Sequence, residues 1–151
     1  MIGPVTACRA CGAAFSAVFC DLGTMAVANS YLPQTASRAE EPRFPLRAVV
    51  CSECRMVQLD HIVDAAGIFR DYAYFSSASA SWLDHARQFS EQMTECLGLS
   101  PASLVVEVAS NDGYLLRNFV AAGIPCLGIE PAANVAAVAR EAGVPTEVAF
   151  L

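Results

Sequence analysis

Hydrophobic and polar positions divide the chain into an N-terminal part without sustained periodicity and a C-terminal part that alternates between two regular patterns. From Val5 to about Leu59, Gly12, Gly23, Pro33, Pro42 and Pro45 interrupt short apolar pieces such as Ala48-Val49-Val50 and Met56-Val57-Gln58-Leu59, which predicts short strands and loops. So little apolar sequence cannot build a core of its own, and something must staple this region. From Ser81 the residues Trp82, His85/Ala86, Phe89, Met93 and Leu97 recur at helical spacing. Ser81 and Asp84 read as a capping-box start and Gly98 as a stop. His85 falls on the apolar side of that helix and reads as a packed core histidine; His61 stands at a loop edge.

Beyond the connector Leu99-Ser100-Pro101 the pattern changes. Ser103–Val108 is an apolar β-branched run, and Gly113 opens a helix through Leu116, Phe119 and Val120 that Gly123 ends. Pro125–Ile129 is a second strand, Ala132–Ala142 a second helix stopped by Gly143, and Val144–Phe150 a third strand. Strand, helix, strand, helix, strand at this pitch predicts an α/β fold with a parallel sheet. Three units follow: residues 1–62 as a small module, 63–101 as a linking helical segment, and 102–151 as the start of a Rossmann-like domain. Three parallel strands leave an apolar edge and uncovered faces, so the sequence reads as a fragment whose sheet continues downstream.

Composition narrows the function. The formal net charge is −6, all nine basic residues are arginine, and they form no cluster; the electrostatic footprint of nucleic-acid binding is missing. No uncharged stretch reaches the length of a membrane span, and the start lacks a basic region followed by an apolar one. A cytoplasmic protein is the expectation.

Seven cysteines in such a setting read as metal ligands and bystanders rather than as a disulfide framework. Cys8-Arg9-Ala10-Cys11-Gly12 and Cys51-Ser52-Glu53-Cys54 are two CxxC knuckles. Each tight turn brings two thiolates to one side, and four thiolates close a tetrahedral zinc site with no open position, hence a structural one. Neither knuckle opens a helix as a redox CxxC would. Cys20, Cys96 and Cys126 have no such partners and are read as ordinary buried residues.

The second chemical feature is Val105-Val106-Glu107-Val108-Ala109-Ser110-Asn111-Asp112-Gly113-Tyr114, a strand running through a small polar loop into a helix. Open α/β sheets bind ligands at that position. With one glycine it is not the GxGxxG fingerprint; it offers the Glu107 carboxylate and close backbone approach at Ser110–Gly113. Glu130 ends the second strand, where an acidic side chain can take both hydroxyls of a ribose and disfavours a 2′-phosphate; the alternative is an acid serving the dipole of the helix after it. The third feature, Asp71-Tyr72-Ala73-Tyr74-Phe75-Ser76-Ser77, is an aromatic and hydroxyl cluster that fits either packing or function.

Taken together, these stretches resemble the S-adenosylmethionine (SAM)-dependent sugar C-methyltransferases of deoxysugar biosynthesis, which carry an N-terminal zinc-binding domain. Further matches are Asp21-Leu22-Gly23, Ala28-Asn29-Ser30-Tyr31-Leu32, Phe44-Pro45-Leu46, Val57-Gln58-Leu59, Ser81-Trp82, His85-Ala86 and Gly128-Ile129-Glu130-Pro131. The resemblance implies a class I methyltransferase acting on a nucleotide-linked keto-deoxysugar at the carbon next to the ketone. It also implies a SAM site of Glu107, Ser110, Asn111, Asp112, Gly113, Tyr114, Glu130, Pro131 and Asn134. Cys8, Cys11, Cys51 and Cys54 would hold structural zinc; Tyr72 and Tyr74 would stand at the reacting centre, with Phe75 and Ser77 on the substrate. Family chains are much longer, so the catalytic base is expected beyond Leu151 and this chain alone is expected to be inactive. A competing reading is a non-catalytic zinc-ribbon module that binds or regulates a protein.

Overall fold

The computed structural model describes residues 3–151, and the chain forms two compact units, one running through Ile68 and one from Phe69 to Leu151. The long helix falls within the second of these units, with the parallel sheet.

The first unit is strand and turn. Strand β1 (Gly3–Pro4) pairs antiparallel with β5 (His61–Ile62), and β2 (Phe15–Ala26), β3 (Arg43–Cys51) and β4 (Val57–Leu59) form an antiparallel sheet in the order β2-β3-β4. The β2–β3 register shifts between Phe15 and Ala17, between Val18 and Cys20 and between Asp21 and Thr24. Such irregularities bend and twist an edge strand, which discourages pairing with another chain. Val18, Phe19 and Leu22 on β2 are exposed, Phe19 to 71%. The apolar core here is minimal: among the described residues, Cys8, Val49 and Cys51 are its buried hydrophobics. Short helix α1 (Ala65–Phe69) follows β5. The ion pair of Arg47 with the buried Asp60 and the Phe44 and His61 rings, 6.0 Å apart, tie β3 to β4 and β5.

The second unit is α/β. Helix α2 (Ala80–Leu97) precedes β6 (Val105–Val108), α3 (Leu116–Ala121), β7 (Cys126–Ile129), α4 (Ala133–Glu141) and β8 (Thr146–Glu147). The three strands are parallel in the order β6-β7-β8, with Val105 opposite Cys126 and Gly128 opposite Thr146. Leu116, Phe119, Ile124, Cys126, Ala139 and Val144 pack as one buried cluster. This is the Rossmann-like strand-helix repeat read from the sequence, with a shorter third strand than predicted.

Several expectations are corrected. Helix α2 is capped by Ser79, whose hydroxyl accepts from the Trp82 N–H; Ser81 lies inside the helix, two residues too late to cap it. Its buried positions are Ala86 and Ser90, while Trp82, Phe89 and Leu97 are exposed. Small residues let a neighbouring element approach closely, which periodicity of large apolar residues does not register. His85 is exposed and stacked on Trp82 at 5.1 Å rather than packed in a core. Cys20 and Cys96 are exposed, on β2 and on the outer side of α2, and only Cys126 of the unmatched cysteines is buried. Among the described residues no helix is long and apolar enough to cross a membrane.

Candidate functional site

The first unit gathers Cys8, Cys11, Cys51 and Cys54 so that all four sulfur atoms lie within 4.8 Å of one another. The two knuckles are built alike. Cys8 N–H donates to the Ala13 carbonyl and Gly12 N–H to the Cys8 carbonyl; Cys51 N–H donates to the Met56 carbonyl and Arg55 N–H to the Cys51 carbonyl. Gly12 and Arg55 follow the second cysteine of each knuckle, and both take positive φ, 78° and 63°. Glycine accepts that conformation freely; arginine does not.

The Cys8–Cys54 and Cys11–Cys51 sulfur pairs are 3.6 and 3.5 Å apart. A disulfide would hold them near 2 Å, whereas a tetrahedron with metal–sulfur bonds of about 2.3 Å has edges of about 3.8 Å. The donor set and its spacing therefore fit zinc. Burial pushes the Cys8 thiol up, but the backbone N–H groups of Cys11 and Ala10 and the Gln58 amide outweigh it and bring it down to about 6. Cys51 is lowered by the backbone N–H groups of Cys54 and Glu53. At Cys11 the Ala13 N–H lowers the thiol, but the crowding sulfurs of Cys51, Cys54 and Cys8, with burial, push it up to about 12. Four sulfurs this close resist losing all their protons, and a dication is what relieves that repulsion.

Sequence reading missed one member of this site. Gln58 is buried on β4, donates its Nε2 to Cys8 Sγ at 3.0 Å and accepts the Arg9 backbone N–H at 3.1 Å. Such outer partners orient metal ligands. The available hint was a polar residue at the inward position of the alternating run Val57-Gln58-Leu59.

In the second unit the loop after β6 is tightly built. Ala109 and Asn111 have positive φ, 58° and 50°, and Ser110, Asn111 and Asp112 are buried. A Cβ on Gly128 would stand 2.4 Å from Ser110 Oγ, and one on Gly113 would stand 2.9 Å from a Val144 methyl; both glycines are required for close approach of the loop.

Glu107, at the strand end, is pushed up to about 7 by burial and, less, by the Glu130 carboxylate. Its Oε2 is buried without a hydrogen-bond partner, as are Ser110 Oγ and Asp112 Oδ1. Buried polar atoms normally have partners, so this cluster suits a ligand that brings donors.

Glu130 has a further task. Its Oε2 accepts the Asn111 N–H at 2.9 Å and its Oε1 accepts the Ala132 N–H at 2.8 Å, with the residue 5% exposed. The carboxylate thus ties the loop to the start of α4, and Pro131 lies between.

The remaining predicted residues come together in the same unit. The Asn134 side chain exchanges two hydrogen bonds with the Tyr72 backbone. Asn111 accepts from the Ser76 N–H and donates to the Tyr74 carbonyl, and Asp112 accepts from the Ser77 N–H. Tyr74 is half exposed, Phe75 half-buried and Ser76 buried. Tyr114 lies beside Trp82 with ring centroids 5.9 Å apart, and burial raises its phenol above the ordinary value.

Comparison with known proteins agrees with this division. Residues 8–69 match a family described as "Putative zinc binding domain". The chain is 34% identical over 146 residues to the C-methyltransferase NovU of Streptomyces niveus; the match covers 97% of this chain and 35% of that protein. The chain therefore spans about a third of the length of the curated relative it matches. Zinc binding is supported both by the family match and by the four-cysteine cluster.

Proposed function

We propose that this chain is the zinc-binding and cofactor-binding part of a SAM-dependent C-methyltransferase that methylates a nucleotide-linked keto-deoxysugar on the carbon next to its ketone. The observation that carries the reading is the loop after β6. It keeps three buried side-chain oxygens, on Glu107, Ser110 and Asp112, without partners, at the place where open α/β sheets bind ligands, in a chain similar throughout to a C-methyltransferase.

When bound, SAM supplies an electrophilic methyl group. The chain's own contribution is to hold and orient. Glu107 and Glu130 would hold the hydroxyls and amine that a nucleoside amino acid carries, and the Ser110–Gly113 backbone would allow its close approach. The four cysteines keep the N-terminal unit folded and take no part in the chemistry. A general base outside the residues of this chain would take the acidic proton beside the ketone, leaving a carbon nucleophile for the methyl group. Tyr72 and Tyr74 are the hydroxyl-bearing candidates for the reacting centre, with Phe75 and Ser77 on the sugar side. This reading includes a cytoplasmic location.

The test is titration calorimetry of the zinc-loaded chain with SAM and, separately, NAD. Heat of binding with SAM and none with NAD is expected. Binding of NAD in place of SAM overturns the cofactor assignment.

A further inference from the structure

The residues that the resemblance assigns to the cofactor are already engaged with the segment Tyr72–Ser77. Asn134 accepts the Tyr72 N–H at 3.1 Å and donates to the Tyr72 carbonyl at 2.8 Å, so one side chain satisfies both backbone groups of one residue. Asn111 accepts the Ser76 N–H at 2.8 Å and donates to the Tyr74 carbonyl at 3.1 Å. Asp112 accepts the Ser77 N–H at 3.1 Å. An asparagine amide used this way substitutes for a neighbouring strand, giving a donor and an acceptor to an otherwise irregular backbone.

Both asparagines trace back to one carboxylate. Asn111 stands in the loop whose N–H reaches Glu130 Oε2, and Asn134 stands in the first turn of α4, whose preceding residue Ala132 donates to Glu130 Oε1. Tyr72–Ser77 makes five side-chain-to-backbone hydrogen bonds to these elements. Its placement is therefore decided by the strand-end loop and by α4.

We propose that Asn111 and Asn134 are positioning residues that clamp the aromatic–hydroxyl segment Tyr72–Ser77 to the Glu130-anchored loop and helix, so that this segment takes its working position only when the cofactor loop has taken its own. The inference rests on the methyltransferase reading for the identity of the ligand, but not for the clamps. A ligand that fixes the loop also fixes Tyr74 and Ser77, and the acceptor side of the site is assembled behind the cofactor.

The experiment is backbone hydrogen exchange of the zinc-loaded chain, read residue by residue, for the parent, Asn111→Ala and Asn134→Ala, without ligand and with saturating SAM, whose affinity for each protein is measured alongside. Without ligand, Asn134→Ala speeds exchange at Tyr72 and Asn111→Ala at Ser76, each by tenfold or more, while Gly128 and Val144 amides stay protected. A merely structural role would raise exchange throughout the unit. Equal rates at Tyr72 and Ser76 in parent and variants overturn the clamps. With SAM, exchange at Tyr72, Ser76 and Ser77 slows in the parent, and each variant loses the slowing at its own amide. SAM bound with no slowing in the parent overturns the coupling. SAM failing to bind the parent removes the cofactor reading and the coupling with it, whereas the clamps stand or fall on the ligand-free rates.

Discussion

The two units solve the same problem of holding a polypeptide together by different means. In the parallel-sheet unit, Leu116, Phe119, Ile124, Ala139 and Val144 remove a contiguous apolar cluster from water, and the helices and strands around it follow from that burial. Among the described residues of the N-terminal unit, two of the three buried hydrophobic ones are Cys8 and Cys51, themselves members of the four-sulfur cluster. Its twelve-residue strand β2 contributes no fully buried side chain. One half therefore has its stability distributed over many contacts, while the other concentrates it at a single point that a chelator can reach.

Removing that point has the largest expected effect. Stripping the metal with a strong chelator, or Cys51→Ser, is expected to abolish the fold of the N-terminal unit outright while the parallel-sheet unit keeps its own unfolding transition. The reciprocal variant Phe119→Ala is expected to cost the sheet unit about 3–5 kcal/mol and to leave one zinc per chain. Calorimetric melting with metal analysis checks both; a single transition lost together in either case would show that the two halves are one cooperative structure.

A smaller effect tests the sheet unit's polar site. Folded Glu107 holds its proton to about pH 7, whereas an unfolded carboxyl loses it near 4.5. The folded state therefore binds more protons between those values, and stability falls as pH rises from about 4.5 to 7. Glu107→Gln is expected to flatten that dependence and to stabilise the unit at pH 8 by about 1–2 kcal/mol, solvent access to the part-exposed carboxylate reducing the full value. Denaturant midpoints of parent and variant across pH 4–8 check it; a parent curve that rises over that range contradicts the burial argument.

The smallest effect separates the two knuckles. Arg55 holds φ 63° where its counterpart Gly12 holds 78°, so Arg55→Gly relieves left-handed strain and is expected to stabilise the N-terminal unit by about 0.5–1 kcal/mol. Gly12→Ala is expected to do the opposite. Melting of the zinc-loaded unit in both variants measures the difference.

What the sequence determined by itself was whatever is local. CxxC spacing makes a knuckle because the turn that joins its two cysteines lies within the motif, and the strand, loop and helix around Glu107 and Glu130 follow from apolar periodicity and glycine punctuation. Only the tertiary structure decided how polar side chains far apart in sequence are used. Gln58 meets Cys8, Asn111 meets Ser76 and Asn134 meets Tyr72, each across a long stretch of chain, and no periodicity encodes such a meeting. Helix α2 shows the same limit: Trp82, Ala86 and Ser90 share one face, and which of them is covered depends on what the helix packs against, whereas hydrophobicity ranks the residues without knowing the neighbour.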